Sequence, residues 1–274
     1  MLALTVTTAC ASIAGLDGYA EPLQGAGGAQ LGGGGTSETT TGGGGTAGGG
    51  GGACTYEAAV YASEPFALWR LDELPGVSGF VDEMNGPFLV NEDAQPGQPA
   101  IVCGGGSAVD FTDGRAYMPS DSATMFDFAG KASFTVEAWV SPPPSVFDPD
   151  GEPFDLVRKL DDSVNQGWIL RLHAGQVKWR RIVSSGESNN LFENIDPQQD
   201  PLYVVAVYDG VEDQMCSYAN GQPLGCTDSV IFSLPTTSAD LVVGSGPGGV
   251  LDELAFYDRA LTLAEIGDHY DAGK

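Results

Sequence analysis

The chain has 274 residues, 40 of them glycine, and sets 37 acidic against 11 basic side chains for a formal charge of −26. A polyanion of this kind repels nucleic acid and anionic lipid headgroups, which excludes both as partners held by bulk charge. Solubility and retention of divalent cations both fit that charge, and all four tryptophans and most other aromatics lie beyond Cys54, so residues 54–274 are expected to form one domain of ordinary size.

Leu2 to Ala9 (LALTVTTA) is an apolar run of about eight residues, too short to span a bilayer. It has the length and small-residue ending of a signal-peptide core, although no Lys or Arg precedes it and the first basic residue is Arg70. Thr7-Thr8-Ala9-Cys10 resembles a bacterial lipobox, with Thr7 where Leu is usual. On that reading residues 1–9 are a signal peptide and Cys10 is lipidated; the other reading is a plain secretory signal cleaved nearby. Both send the protein out of the cytoplasm, and the first leaves it anchored to a bacterial membrane, at the cell surface or in the periplasm.

Residues 10–53 read as a tether. From about Gln24 to Ala53 the chain is glycine runs broken by Thr, Ser, Ala and the single acid Glu38, too little apolar surface to offset the entropy of ordering, so this segment is expected to be disordered. Its random-coil reach is about 30 Å. Once Cys10 is set aside, Cys54, Cys103, Cys216 and Cys226 remain, an even number suited to two disulfides in an oxidising compartment.

Beyond Cys54 short alternating apolar runs are punctuated by Gly, Pro, Asn and Asp, the signature of an all-β domain. Phe134-Thr-Val-Glu-Ala-Trp-Val140 puts Phe134, Val136, Ala138 and Val140 on one face and Thr135, Glu137 and Trp139 on the other. Pro142 to Pro144 stop that strand. Further strands are expected at 168–173, 177–183, 203–208, 214–219, 241–243 and 251–257. Asn220-Gly221 signals a two-residue hairpin turn, since a type I′ turn needs positive φ at both central positions. Such a turn pairs residue 216 with 225, so Cys216 meets Cys226 only across a one-residue bulge or a longer loop, and Pro223 suits such an irregularity. Cys54 then pairs with Cys103 by elimination.

Near the end, Thr262-Leu-Ala-Glu265 is a capping box that starts a helix from Leu263 to about Tyr270. Leu263, Ile266 and Tyr270 share the face expected to pack on the sandwich.

Leu68-Trp-Arg-Leu-Asp-Glu73, Val109-Asp-Phe111, Phe134 to Val140, Tyr203 to Gly210, Tyr218-Ala-Asn-Gly221, Val243-Gly244 and Leu251-Asp-Glu-Leu-Ala-Phe-Tyr-Asp-Arg-Ala-Leu261 occur in an order that resembles the laminin-G-like, concanavalin A-like lectin family over nearly all of residues 56–272. The resemblance implies a two-sheet antiparallel jelly-roll β-sandwich with a short C-terminal helix. It also implies a structural calcium ion held by loop oxygens, for which Asp82, Asn85 and Asp252 are the candidate ligands. The other reading of these three is that Asp82 and Asn85 cap a turn while Asp252 is a buried acceptor.

For chemistry, the Glu-x-Asp-x-x-Glu strand that enzymes on this fold use for two-carboxylate glycoside hydrolysis is missing, as are a Gly-x-Ser-x-Gly elbow, a phosphate loop and a His-Glu-x-x-His pair. Six of the eleven basic residues, Arg158, Lys159, Arg171, Lys178, Arg180 and Arg181, crowd a 24-residue stretch with Trp168, Trp179 and His173. An aromatic plate beside cationic donors suits a sugar, with Trp179, Arg181, Arg171 and His173 as candidate ligand-binding residues. The same pattern also reads as a hairpin with aromatics in the core and cations balancing nearby acids. The expectation is a non-catalytic extracellular recognition or adhesion module for a glycan or glycoprotein, touching the membrane only through its lipid. A polysaccharide hydrolase of the same superfamily and a purely structural surface domain are the alternatives.

Overall fold

The computed structural model describes residues 54–104, 106–184, 187–227 and 233–274. The expected signal peptide at 1–9, the lipid site Cys10 and the tether to residue 53 lie outside them.

In chain order the elements are α1 (Tyr56–Ala62), β1 (Ala67–Trp69), β2 (Gly79–Phe80), β3 (Leu89–Glu92), β4 (Gln95–Gln98), β5 (Ala108–Asp110), β6 (Arg115–Met118), β7 (Phe134–Ser141) and β8 (Phe154–Asp161). There follow β9 (Gln166–His173), β10 (Gln176–Ser184), β11 (Glu187–Asn194), β12 (Leu202–Asp209), β13 (Gln214–Ala219), β14 (Gln222–Thr227), β15 (Leu241–Ser245), β16 (Val250–Tyr257) and α2 (Leu263–Gly273). They build two antiparallel sheets, ordered β14-β13-β12-β7-β16-β5-β4, with β1 also on β16, and β11-β10-β9-β8-β15-β6-β3-β2. This is the expected jelly-roll sandwich.

The main core lies between the sheets. Phe134, Val136, Ala138 and Val140 of β7 face Trp168, Leu170 and Leu172 of β9 and Val177 and Trp179 of β10, all essentially without solvent contact. Each large side chain removed from water contributes about 1.5–3 kcal/mol.

The first sheet is covered on its other face as well. There Trp139, Tyr203, Val205 and Tyr257 pack beneath Tyr56 and Val60 of α1 and Ile266 of α2 in a second apolar cluster. Within it Glu137 is fully buried, and its carboxylate accepts from Tyr203 Oη at 2.5 Å, Tyr257 Oη at 3.0 Å and the more distant Tyr56 Oη at 3.5 Å. The same carboxylate lies 3.0 Å from His269 Nδ1, and His269 Nε2 is 2.8 Å from Ser63 Oγ. One acid thus joins β7, β12, β16 and both helix regions, and Glu137 has the partners a buried carboxylate requires.

Two local signals hold in detail. Asn220 and Gly221 have φ of 49° and 72°, and the strands pair Cys216 with Cys226, Ser217 with Gly225 and Tyr218 with Pro223, so Leu224 is the one-residue bulge that seats the Cys216–Cys226 disulfide. Cys54 is bonded to Cys103 across 49 residues of sequence. Thr262 Oγ1 accepts from Glu265 N, and the Glu265 carboxylate accepts from Thr262 N, closing the capping box. The helix then runs three residues past Tyr270, to Gly273. Its packing face differs from the expected one: Leu263 is 52% exposed, whereas Ile266 and His269 are buried. Leu263 sits in the first turn, ahead of the part that lies on the sheet.

Candidate functional site

The basic stretch falls on β8, β9 and β10, and strand alternation divides it between the two faces of the second sheet. Cross-strand register pairs Arg181 with Trp168 and Trp179 with Leu170, so these four point into the sandwich. Trp179 is wholly buried, with Phe134 at 5.4 Å and Trp168 at 6.1 Å between ring centroids. Arg181 is 1% exposed, lays its guanidinium 3.7 Å over the Tyr208 ring and donates to Gly130 O. Burial pushes its pKa down to about 10. The expectation that Trp179 and Arg181 present a plate to a ligand is therefore corrected: both are core groups, because the face they share is the inward one.

Arg171 and His173 do face outward, alternating with Leu170 and Leu172. In register across the strands stand Lys178 beside Arg171, Gln176 beside His173, and Arg180 beside Ile169. On the next strand Asn194, Phe192 and Asn190 face Gln176, Lys178 and Arg180. Ile169 points outward yet has no exposure, and it is flanked in register by Arg180 and Arg158.

The cations on this face are not equivalent. Arg171 Nε lies 2.7 Å from Asp155 Oδ1, and Arg158 bridges Asp155 at 3.5 Å and Asp162 at 2.9 Å. Burial lifts the pKa of Asp155 against the pull of Arg171 and Arg158. Lys178 and Arg180 have no carboxylate partner among the described residues. Lys178 Nζ donates to His173 Nδ1 at 2.7 Å, while His173 Nε2 lies 3.1 Å from Gly151 O, an arrangement in which a neutral imidazole carries its proton on Nε2. Lys178 Nζ also sits 5.4 Å over the ring of Phe192, which is 46% exposed. Arg180 Nε donates to Asn190 Oδ1 at 2.7 Å, and its terminal nitrogens have no hydrogen-bond partner among the described residues. Desolvation lowers the pKa of both Lys178 and Arg180, and the Arg171 charge lowers each further. Two unpaired cations, two bridged arginines, three amides and one exposed ring thus share an outward face of a strongly acidic protein.

Sequence reasoning placed Arg171 and His173 here but did not single out Lys178, Arg180, Asn190 and Phe192, which share this outward face. The parity of Lys178 and Arg180, opposite to that of Trp179, was the available signal. Asn190 and Phe192 lie on β11, whose polar sequence carries no alternating apolar pattern.

The expected calcium ligands are each tied into the fold, with one oxygen of each acid, Asp82 Oδ2 and Asp252 Oδ1, buried without a hydrogen-bond partner among the described residues. Asp82 Oδ1 accepts from the Leu68 and Met84 amides, the Asn85 amide donates to Asp82 O, and Asp252 Oδ2 accepts from Ile101 N. Among the described residues no three His, Cys, Asp or Glu side chains are placed to hold a metal. The other oxygen of each acid thus fixes a loop.

A family model described as the concanavalin A-like lectin/glucanases superfamily matches residues 104–267, more than half of the sequence. The chain belongs to that superfamily. No curated protein matches it in sequence. Among solved structures, the superfamily fold is shared with the botulinum neurotoxin serotype D ligand binding domain in complex with N-acetylneuraminic acid (11% identity, TM-score 0.55, 79% of this chain and 52% of that one). It is shared also with the binding domain of botulinum neurotoxin DC in complex with SialylT (11%, 0.54, 78% and 52%) and with that of Paraclostridial Mosquitocidal Protein 1 (14%, 0.56, 75% and 51%). The chain spans about half the length of these domains, and at such identity the likeness carries the fold alone.

Proposed function

We propose that this protein is a non-catalytic recognition module that binds a glycan or glycoconjugate outside the cell, through the outer face of β9, β10 and β11. The observation that carries this reading is the pair Lys178 and Arg180, held outward without carboxylate partners beside Phe192 and a row of amides. Cations that keep free donors bind carboxylate or sulfate oxygens of an acidic sugar, the amides bind hydroxyls, and the ring covers an apolar face. Superfamily membership and the sugar complexes formed by two structural neighbours support the same class of ligand. Display at the surface follows in this reading from export and a lipid on Cys10, with the glycine-rich segment as spacer.

The test is calorimetric titration of the full chain with acidic and neutral oligosaccharides. Hydrogen bonds to charged groups contribute about 1.5–3 kcal/mol, so Lys178→Ala and Arg180→Ala are each expected to weaken binding of the acidic ligand about tenfold or more, with melting unchanged. Affinity unaffected by both substitutions overturns the assignment of this face. Reducing ends released by pure protein, and lost on one acidic substitution, would establish the hydrolase instead.

A further inference from the structure

Asn-Gly occurs twice in the sequence, at 85–86 and at 220–221, and the fold treats the two pairs in opposite ways. The dipeptide is chemically distinctive because glycine has no side chain to keep its own amide nitrogen away from the asparagine Cγ. How firmly the structure holds the asparagine amide and the glycine nitrogen then decides reactivity.

At 220–221 both are held. Asn220 Oδ1 accepts from Tyr203 N at 2.8 Å, Nδ2 donates to Gln199 Oε1 at 3.2 Å, and the Asn220 main-chain N donates to Tyr203 O at 2.8 Å. Gly221 is buried against α2, where a Cβ would stand 3.1 Å from the Tyr270 ring.

At 85–86 little is held. Asn85 and Gly86 are both exposed, in the loop between β2 and β3. Asn85 has a φ of 63°, in the left-handed region that asparagine tolerates better than most residues. Its main-chain N donates to Asp82 O at 3.0 Å, but its side-chain amide and the Gly86 nitrogen make no hydrogen bond to any described residue. The loop is anchored one turn earlier, at Asp82, whose Oδ1 takes the Leu68 and Met84 amides.

We propose that Asn85 is a site of spontaneous covalent modification, passing through a succinimide to aspartate and isoaspartate, while the fold protects Asn220. The Gly86 nitrogen, its proton lost to solvent base, attacks Asn85 Cγ. A new C–N bond closes the succinimide ring, the Cγ–Nδ2 bond breaks, and Nδ2 takes a proton from water and leaves as ammonia. Water then opens the ring. Opening at Cγ restores the main chain with aspartate at 85; opening at the main-chain carbonyl carbon routes the chain through Cγ, an isoaspartyl linkage one carbon longer. Both products place a carboxylate in the same turn as Asp82, whose buried Oδ2 already lacks a donor. The longer linkage also has to move Gly86, which lies so close to Asp82 that even a Cβ there would collide with Oδ2.

The experiment is prolonged incubation of the full native chain at mildly alkaline pH, with peptide mapping by mass spectrometry at intervals. The readouts at each pair are the mass gained when –NH₂ is replaced by –OH, and isoaspartate detected by enzymatic methylation. A parallel incubation in urea with the disulfides reduced gives the rates of the unfolded chain. In the native protein Asn85 is expected to convert about tenfold or more faster than Asn220, the factor that the hydrogen bonds of Asn220 imply. Unfolded, the two should convert at comparable rates, because the protection of Asn220 is tertiary. Asn85→Gly, which keeps a positive φ without an amide, should remove the more acidic species that the aged protein shows on anion exchange. Equal native rates at the two pairs, faster conversion at Asn220, or a native Asn85 left intact while the unfolded chain converts overturns the proposal. The outcome is independent of the outer face of β9 to β11, since β2 and β3 lie at the other edge of the second sheet.

Discussion

Asp252 shows how burial alone can make a carboxylate report on pH. It has no solvent exposure, Oδ1 lacks a donor, and burial pushes its pKa up to about 7; desolvation and the neighbouring Asp252 charge lift Glu253 to about 8. In the unfolded chain both groups titrate near 4. Between about pH 4 and 8 the folded state therefore holds more protons than the unfolded one, and stability falls as pH rises. His269 adds to the trend: burial lowers its pKa, but the Glu137 charge and hydrogen bond outweigh that and raise it, so its contribution also fades with rising pH. Glu265, held down at about 2 chiefly by Arg259, acts the other way and matters only in acid. The melting temperature should decline from pH 5 to pH 8. Overall charge repulsion produces a similar slope, so the variant decides: Asp252→Asn should flatten the curve and gain about 2–4 kcal/mol at pH 8, and parallel curves would refute the role of Asp252. Single positions were the least legible in the sequence. Alternation showed that Trp179 and Arg181 share a face, but which face is inward depends on the sheet packed opposite, so the outward Lys178 and Arg180 went unmarked.

Elements were read most securely where local chemistry decides them. The Asn220-Gly221 turn, the bulge demanded by Cys216 and Cys226, and the Thr262–Glu265 capping box depend on neighbours within about ten residues, and each holds. By contrast α1 has no side-chain cap at Thr55 and only seven residues, so its existence rests on tertiary packing against the first sheet. The pattern of β7 did place Glu137 opposite Phe134, yet nothing local revealed that this face too would be sealed. Removing that acid should be costly, because Tyr203, Tyr257 and His269 would keep their buried polar groups and lose their shared partner. Glu137→Ala is expected to lower stability in urea by about 3–5 kcal/mol, and Trp179→Ala by a similar amount through the cavity it leaves. A loss below about 1 kcal/mol at Glu137 would show that the helices rest on the sheet without its help.

At the scale of the whole molecule, the fold class was legible because many short patterned strands in a familiar order constrain architecture jointly, whereas a ligand depends on a few side chains whose grouping only folding creates. Anchoring belongs to this scale as well. If Cys10 carries lipid, the mature protein should partition into detergent and Cys10→Ala should remain in the aqueous phase; equal partitioning would remove the anchor from the proposed function. Binding of an acidic ligand should also weaken with added salt, since the ionic contacts at Lys178 and Arg180 are screened over about 8–10 Å. The Cys54–Cys103 bond has a further, mechanical consequence. Cys103 donates its amide to Gly273 O, so the first described residue is pinned covalently to a loop that is itself hydrogen-bonded to the end of α2. Tension applied to the chain ahead of Cys54 passes through the sulfur bridge into that loop, and the bypassed segment, including α1 and the three-residue strand β1, stays slack. The N-terminal strand then cannot be peeled from β16 by pulling, and only reduction of the bridge would turn the same tug into an unzipping force.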